Sequence, residues 1–172
     1  MTAKVISRVL EINNCNKDNL LEAIYQPRFW EIISPVTKIE AKLVAPNVIY
    51  THIIDEIKLS VGDFLKIPIE MEGELVLIDK GEIEGKGRLI EFNVRKNKDI
   101  KELEGRIRIK TLSIDKSSNK SKVGVFIHHF VLSSDFINLF GSAAELILRR
   151  KVTNSLRNLE KYCKTHDLKD LV

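Results

Sequence analysis

From Val36 to Ser133 the chain shows no convincing helical period: one strand pattern follows another, and a single helical stretch, Leu132 to Asp167, closes the sequence. No other feature constrains the fold as strongly. Consecutive strands joined by short turns make an antiparallel sheet with one face solvated. Its apolar face must be covered by another element, and the terminal helix is the natural cover.

The strands can be read one by one. "VTKIEAKLV" alternates Ile39, Ala41 and Leu43 against Lys38, Glu40 and Lys42, and "APN" turns it into "VIYTHIIDEIK". That turn pairs Leu43 with Ile49, Ala41 with Thr51 and Ile39 with Ile53, a register that keeps one face apolar. "LKIPIEMEGELVLI" points Ile67, Ile69, Met71, Gly73, Leu75 and Leu77 one way and Glu70, Glu72 and Glu74 the other. "DKGE" reads as the next turn. "IEGKGRLIEFNVR" follows, where Gly85 and Gly87 suggest a bulge that switches faces. "ELEGRIRIKTLSI" turns Leu103, Ile107, Ile109 and Thr111 inward, and "SKVGVFIHHFVLS" is apolar on both faces. Ahead of these lie a first strand, Lys4–Ile12, and two short helices. Asn14 and Asn16 are candidate N-caps for "DNLLEAIYQ". Pro27 ends that helix and opens "PRFWEIIS" as a first-turn proline; Pro35 stops it.

The totals fit one domain over 1–172, with a core large enough to need no staples. No apolar run approaches the roughly 18 residues of a membrane span, and "MTAKVISRVLEINN" lacks the apolar block of a signal peptide. A cytoplasmic protein without stable membrane insertion is the expectation. The 28 Lys and Arg stand against 24 Asp and Glu, with the two signs interspersed. The basic clusters at 95–101 and 116–122 read as loop tips, so nucleic acid is not an expected partner. Gln26 is the only glutamine among many Lys and Ile. That suits an AT-rich coding sequence or a thermophile. Cys15 and Cys163 form no metal motif; they read as two buried apolar side chains rather than a disulfide, which a thermophilic source would favour.

The closing helix carries two apolar stripes at ~100° per residue. Ile137, Gly141, Ala144, Leu148, Val152, Ser155 and Leu159 form the one expected to face the sheet. Phe136, Leu139, Phe140, Ala143, Leu146 and Ile147 form a second, which stops at Arg150 and lacks an evident partner. "SAAE" (142–145) fits a capping box, so the helix is expected to kink at Gly141.

The order of elements, the passage "PRFWEIISPVTKIE" and the closing "LFGSAAELILRRKVTNSLRNLEKY" together resemble the START-like or Bet v 1-like helix-grip superfamily. Its polyketide cyclase-like members have an aromatic and "P.V" entering strand two, and a Gly before a helix of the type "L..R.V..SL..L". The overall style is similar to an archaeal branch. The resemblance implies an α+β fold, β-α-α-β6-α, with a curved seven-stranded antiparallel sheet wrapped around a long C-terminal helix. It also implies a cavity between them, which in that superfamily holds lipids, sterols, quinones or polyketides. Some members are cyclases or hydrolases, so fold alone does not give function.

That cavity is expected under Gly141 and Ala144. Its lining would be Thr51, Ile53, Ile69, Met71, Ile107, Ile109 and Thr111 from the sheet, and Phe136, Phe140, Gly141, Ala144 and Leu148 from the helix. Trp30 is expected to pack the short helices against the terminal one. The leading expectation is binding of a hydrophobic small molecule, with Phe136–Phe140 as a lip hinged at Gly141. A cyclase or hydrolase would use Asp55 or His128. Asp55 near the rim would be tuned by desolvation, but a strand ending there would leave it solvated. Ser113 is a further inward polar residue. The paired His128 and His129 should project to opposite faces and so cannot share a metal. No HExxH or phosphate-loop motif is present, so no metal or cofactor is expected. A third reading makes Phe136, Phe140 and Ile147 a homodimer or partner surface.

Overall fold

The alternation read from β-branched and charged residues produces one seven-stranded sheet in the order β1-β7-β6-β5-β4-β3-β2, antiparallel throughout. The computed structural model describes residues 6–58, 66–112 and 119–172. Its strands are β1 (Ile6–Asn13), β2 (Lys38–Ala45), β3 (Val48–Lys58), β4 (Lys66–Ile83), β5 (Gly87–Arg95), β6 (Ile100–Thr111) and β7 (Lys120–Leu132). Helices α1 (Lys17–Ala23) and α2 (Pro27–Ile33) lie between β1 and β2; α3 (Ser134–Phe140), α4 (Ala143–Thr165) and a 3-10 turn at Leu168–Leu171 close the chain. Strands β2 to β7 form a meander, and β1 pairs with the last strand. The expected Lys4 start of β1, Ser113 and the first part of the 116–122 cluster lie outside the described residues.

The β2–β3 register is the expected one, with Leu43 opposite Ile49, Ala41 opposite Thr51 and Ile39 opposite Ile53. One turn is displaced. "DKGE" is not a turn; β4 runs through it with a register shift between Asp79 and Gly81, and the hairpin closes at 84–86. A bulge and a tight turn draw on the same Gly and Asp signals, so the pattern alone does not say which of the two sites reverses the chain. On β5, Ile90 is fully buried and Phe92 lies beside the core. Gly105 sits opposite Phe92 on β6. A Cβ there would stand 2.4 Å from the Phe92 ring, so the missing side chain makes room for the aromatic one.

Asn16, not Asn14, caps α1, its side chain accepting from Asn19 N at 3.1 Å. Asn14 instead reaches across to α4 and donates to Cys163 O at 2.7 Å. Cys15 and Cys163 are both fully buried free thiols. The neighbouring Cys163 thiol, followed by burial, pushes the Cys15 thiol far above its ordinary range. The ends of the first strand and the last helix are thereby held together in the core.

The closing helix departs from expectation. It is two helices rather than one kinked helix, because Gly141 takes φ 54° and ψ −133° and interrupts the ladder. Ser142 makes no side-chain cap, and Glu145 pairs with Arg149 at 2.7 Å instead of completing a capping box. The break resets the helical phase. Phe136 and Phe140 turn onto the sheet and pack with Ala144 and Ile57, flanked by Ile67, Ile69, Met71 and Ile147. Ile137, assigned by continuous stepping to the sheet side, is 47% exposed, and Leu139 and Leu146 are 55% and 43% exposed.

Only glycine adopts the Gly141 conformation without strain, and no atom lies within 4 Å of a Cβ placed there. Gly141→Ala should therefore lower stability through backbone strain alone, by about 1–2 kcal/mol. Urea unfolding followed by circular dichroism checks this, with an unchanged slope expected.

Candidate functional site

An apolar gap in the packing lies where α1, α2, α4 and the sheet meet. It is a cavity of about 200 Å³. The sheet supplies its floor through Leu75 and Phe92, through Leu103, Ile107 and Ile109 of β6, and through Val123, Val125 and Ile127 of β7. Leu20, Ile24, Phe29, Trp30 and Ile33 of the short helices form one wall, and Val152, Ser155, Leu156 and Leu159 of α4 form the other. These positions follow from local sequence. Strand alternation turns every second residue of β6 and β7 inward, and the i, i+3, i+4, i+7 spacing of α4 places Val152, Ser155, Leu156 and Leu159 on one face.

The wall has few polar atoms, and these are already engaged. Ser155 Oγ donates to Lys151 O at 2.9 Å, and Trp30 Nε1 donates to Ile24 O at 2.8 Å. Trp30 also meets Phe29 edge to face, with ring centroids 5.2 Å apart. The surface thus offers apolar contact with no dangling donor. An apolar cavity of ~150 Å³ stays dry and takes up benzene, so this one can accept a ring or a short chain.

Of the residues expected to line a cavity, Ile107 and Ile109 do so here. Ile69, Met71, Phe136, Phe140 and Ala144 belong to the separate cluster under α3 and the first turn of α4. Leu148 packs with Ile6, Leu103 and Ile127. Thr51 and Ile53 are half-buried on β3, Thr111 is exposed at the end of β6, and Gly141 is exposed. Phe136 and Phe140 pack with Ala144, their ring centroids 4.6 Å apart. The same packing removes both phenylalanines from the expected dimer surface; the apolar side chains this segment exposes are Ile137, Leu139 and Leu146.

Asp55 is buried, at 5% exposure, but as one half of an ion pair. Lys151 Nζ donates to its carboxylate and, at 2.6 Å, to Pro35 O. Thr37 adds its backbone N and its hydroxyl, each at 3.2 Å. This cluster fastens α4 to β3 and to the α2–β2 junction, and it borders an open polar cleft outside the cavity. His128 and His129 do not project to opposite faces. A shift in the β6–β7 register between Glu104 and Gly105 breaks the alternation, and both imidazoles reach exposed carboxylates of β6, Glu104 and Glu102 respectively. The described residues contain no group of three or more His, Cys, Asp or Glu placed to hold a metal ion. No helix among them is long and apolar enough to cross a membrane.

Sequence alone does not identify Lys151. A buried Asp55 calls for a cation, yet Arg149, Arg150 and Lys151 are adjacent and only the helical phase selects the third. The α4 wall is likewise hidden as a wall: Val152, Leu156 and Leu159 read as packing directly on strands. Ser155 is the available signal, a small residue midway along an otherwise bulky stripe.

No protein-family model matches the chain, and no curated protein does so by sequence. Solved structures match over nearly its whole length. A protein from Thermus thermophilus is 11% identical with a TM-score of 0.64, covering 94% of this chain and 97% of that one. The Zhui aromatase/cyclase from Streptomyces sp. R1128 gives 10% identity and a TM-score of 0.61, with 94% and 93% covered. A START superfamily protein from Mycobacterium smegmatis gives 9% and 0.59, with 93% and 97% covered.

Removing Lys151 would leave Asp55 buried without its counter-charge. Lys151→Met should destabilise the protein by about 3 kcal/mol, whereas the neighbouring exposed Arg150→Met should change stability by no more than about 0.5 kcal/mol. Parallel denaturant titrations compare the two. Taken together, the sheet order, the closing helices and these structural matches give the chain the START/Bet v 1-like helix-grip fold.

Proposed function

We propose that the protein binds a small hydrophobic molecule in the cavity between the β4–β7 face, the two short helices and the C-terminal half of α4. The observation that carries this reading is the wall itself: a gap of about 200 Å³ lined by aliphatic and aromatic side chains whose few polar atoms are satisfied internally. Protein interiors otherwise pack to crystal density. A void of this size forfeits the dispersion contacts its lining would make if filled, so an apolar guest gains them. The structural likeness to an aromatase/cyclase and a START superfamily protein is compatible with the reading, but it rests on the cavity rather than on them.

Size bounds the guest. About 0.8 kcal/mol per buried CH₂ caps an eight-carbon chain at about 6 kcal/mol, a dissociation constant no tighter than on the order of 0.01 mM and weakened further by the cost of immobilisation. The wall supports binding rather than proton transfer. Asp55 lies in the outer cleft with its oxygens engaged, and His128 is paired on the outer face.

Filling the cavity tests the proposal. Val125→Phe should weaken 1-octanol binding at least tenfold, by calorimetry, while leaving the melting temperature equal or raised. Binding that persists unchanged in a folded variant would contradict it. Organic extraction of the purified protein, analysed by mass spectrometry, should yield a passenger of about this size.

A further inference from the structure

Immediately outside the cavity, the open cleft collects four cations: Lys58 and Lys66 from the ends of β3 and β4, and Arg157 and Lys161 from α4. Their arrangement is unfavourable on its own. Lys58 and Lys66 are direct cross-strand partners, and like charges so placed repel. Arg157 and Lys161 stand four apart on one helix, which is likewise destabilising. Other charges of the sheet are paired, as in Arg88 with Asp79 at 2.6 Å or His52 with Glu70 at 2.7 Å, although Lys110 and Lys122 also face each other across β6 and β7. None of the four has an ion-pair partner among the described residues. Among the described residues two carboxylates share the lining, and with Asp55 bound to Lys151 that leaves Glu56 against four positive charges.

The cleft and the cavity share a wall. Ile33 lines the cavity and the next residue, Ser34, lines the cleft; Ser155, Leu156 and Leu159 face inward while Asn154, Arg157 and Asn158 of the same turns face the cleft. The hydrogen bond from Asn158 Nδ2 to Ile33 O, at 3.0 Å, lies at the boundary. We infer that the ligand is an anionic amphiphile, with a short apolar body in the cavity and a carboxylate or phosphate head among Lys58, Lys66, Arg157 and Lys161. An anion placed there converts two repulsive pairs into attractive ones, and the head remains partly hydrated at the open cleft. The inference rests on the cavity-binding reading and adds the charge of the ligand to it.

Calorimetric titrations with octanoate, octyl phosphate, 1-octanol and inorganic phosphate, at low and at about 0.5 M salt, where charge interactions are strongly screened, test it. The two anionic amphiphiles should bind at least tenfold more tightly than octanol, and high salt should erase most of that margin. The double variant Arg157→Glu, Lys161→Glu should lose the margin while keeping octanol affinity. Both positions are exposed and the variant only exchanges one like-charge pair for another, so folding should persist; Lys58→Gln with Lys66→Gln provides a milder second pair expected to reduce the margin by about half on a logarithmic scale. Equal affinity for octanol and octanoate in the wild type would overturn the inference and leave the cavity reading standing. Inorganic phosphate binding as tightly as octyl phosphate would also overturn it, since the head would then bind without the body. Failure of octanol as well as the anions to bind would remove the cavity reading itself.

Discussion

A sheet of this width has more apolar face than one helix can cover. Seven strands about 4.8 Å apart span about 29 Å, while a helix is about 10 Å across. The deficit forces the chain to recruit further cover, and the order of elements shows how. Helices α1 and α2 arrive from the N-terminal side, α3 covers the ends of β3 and β4, and α4 crosses between them. Packing is close wherever one of these pieces lies flat on strands. It fails where three of them meet over β4–β7, and that seam is the cavity.

Two local features decide where the seam falls. The interruption at Gly141 lets α3 rotate so that Phe136 and Phe140 pack with Ala144 at the start of α4. The Lys151 contacts to Asp55 and Pro35 O then fix α4 at its middle, against β3 and the α2–β2 junction. Along its length α4 packs on β1 and against α2, with Trp30, Phe29 and Ile33 lining the cavity beside it. Cys15, Cys163 and the Asn14 bond to Cys163 O hold its far end. The cavity lies beside the span between these anchors, which Thr153 and Asn158 also tie, to Arg8 and to Ile33 O.

The fold is legible in the sequence because it depends on periods that survive averaging. Period-two alternation marks the strands, the Ala-Pro-Asn turn sets the β2–β3 register, and Pro27 and Pro35 bound the second helix. The site is less legible for a specific reason. Placing a cavity requires the phase of the closing helix, and one residue, Gly141, resets that phase. Continuous stepping through it assigns Ile137 to the sheet and leaves Phe136 and Phe140 without partners, the reverse of the observed packing. The histidine pair is misread in the same way, through a register shift that alternation does not encode. Ile107 and Ile109 are identifiable because β6 keeps strict alternation over the stretch that meets the cavity.

Binding requires that a small apolar guest occupy that seam. Methyl-resolved NMR during titration with 1-octanol tests it most directly. Shifts should concentrate on Ile24, Ile107, Ile109, Val123, Val125 and Leu156, which line the cavity. Shifts confined to the exposed Ile137, Leu139 and Leu146, or absent at saturating octanol, would contradict it.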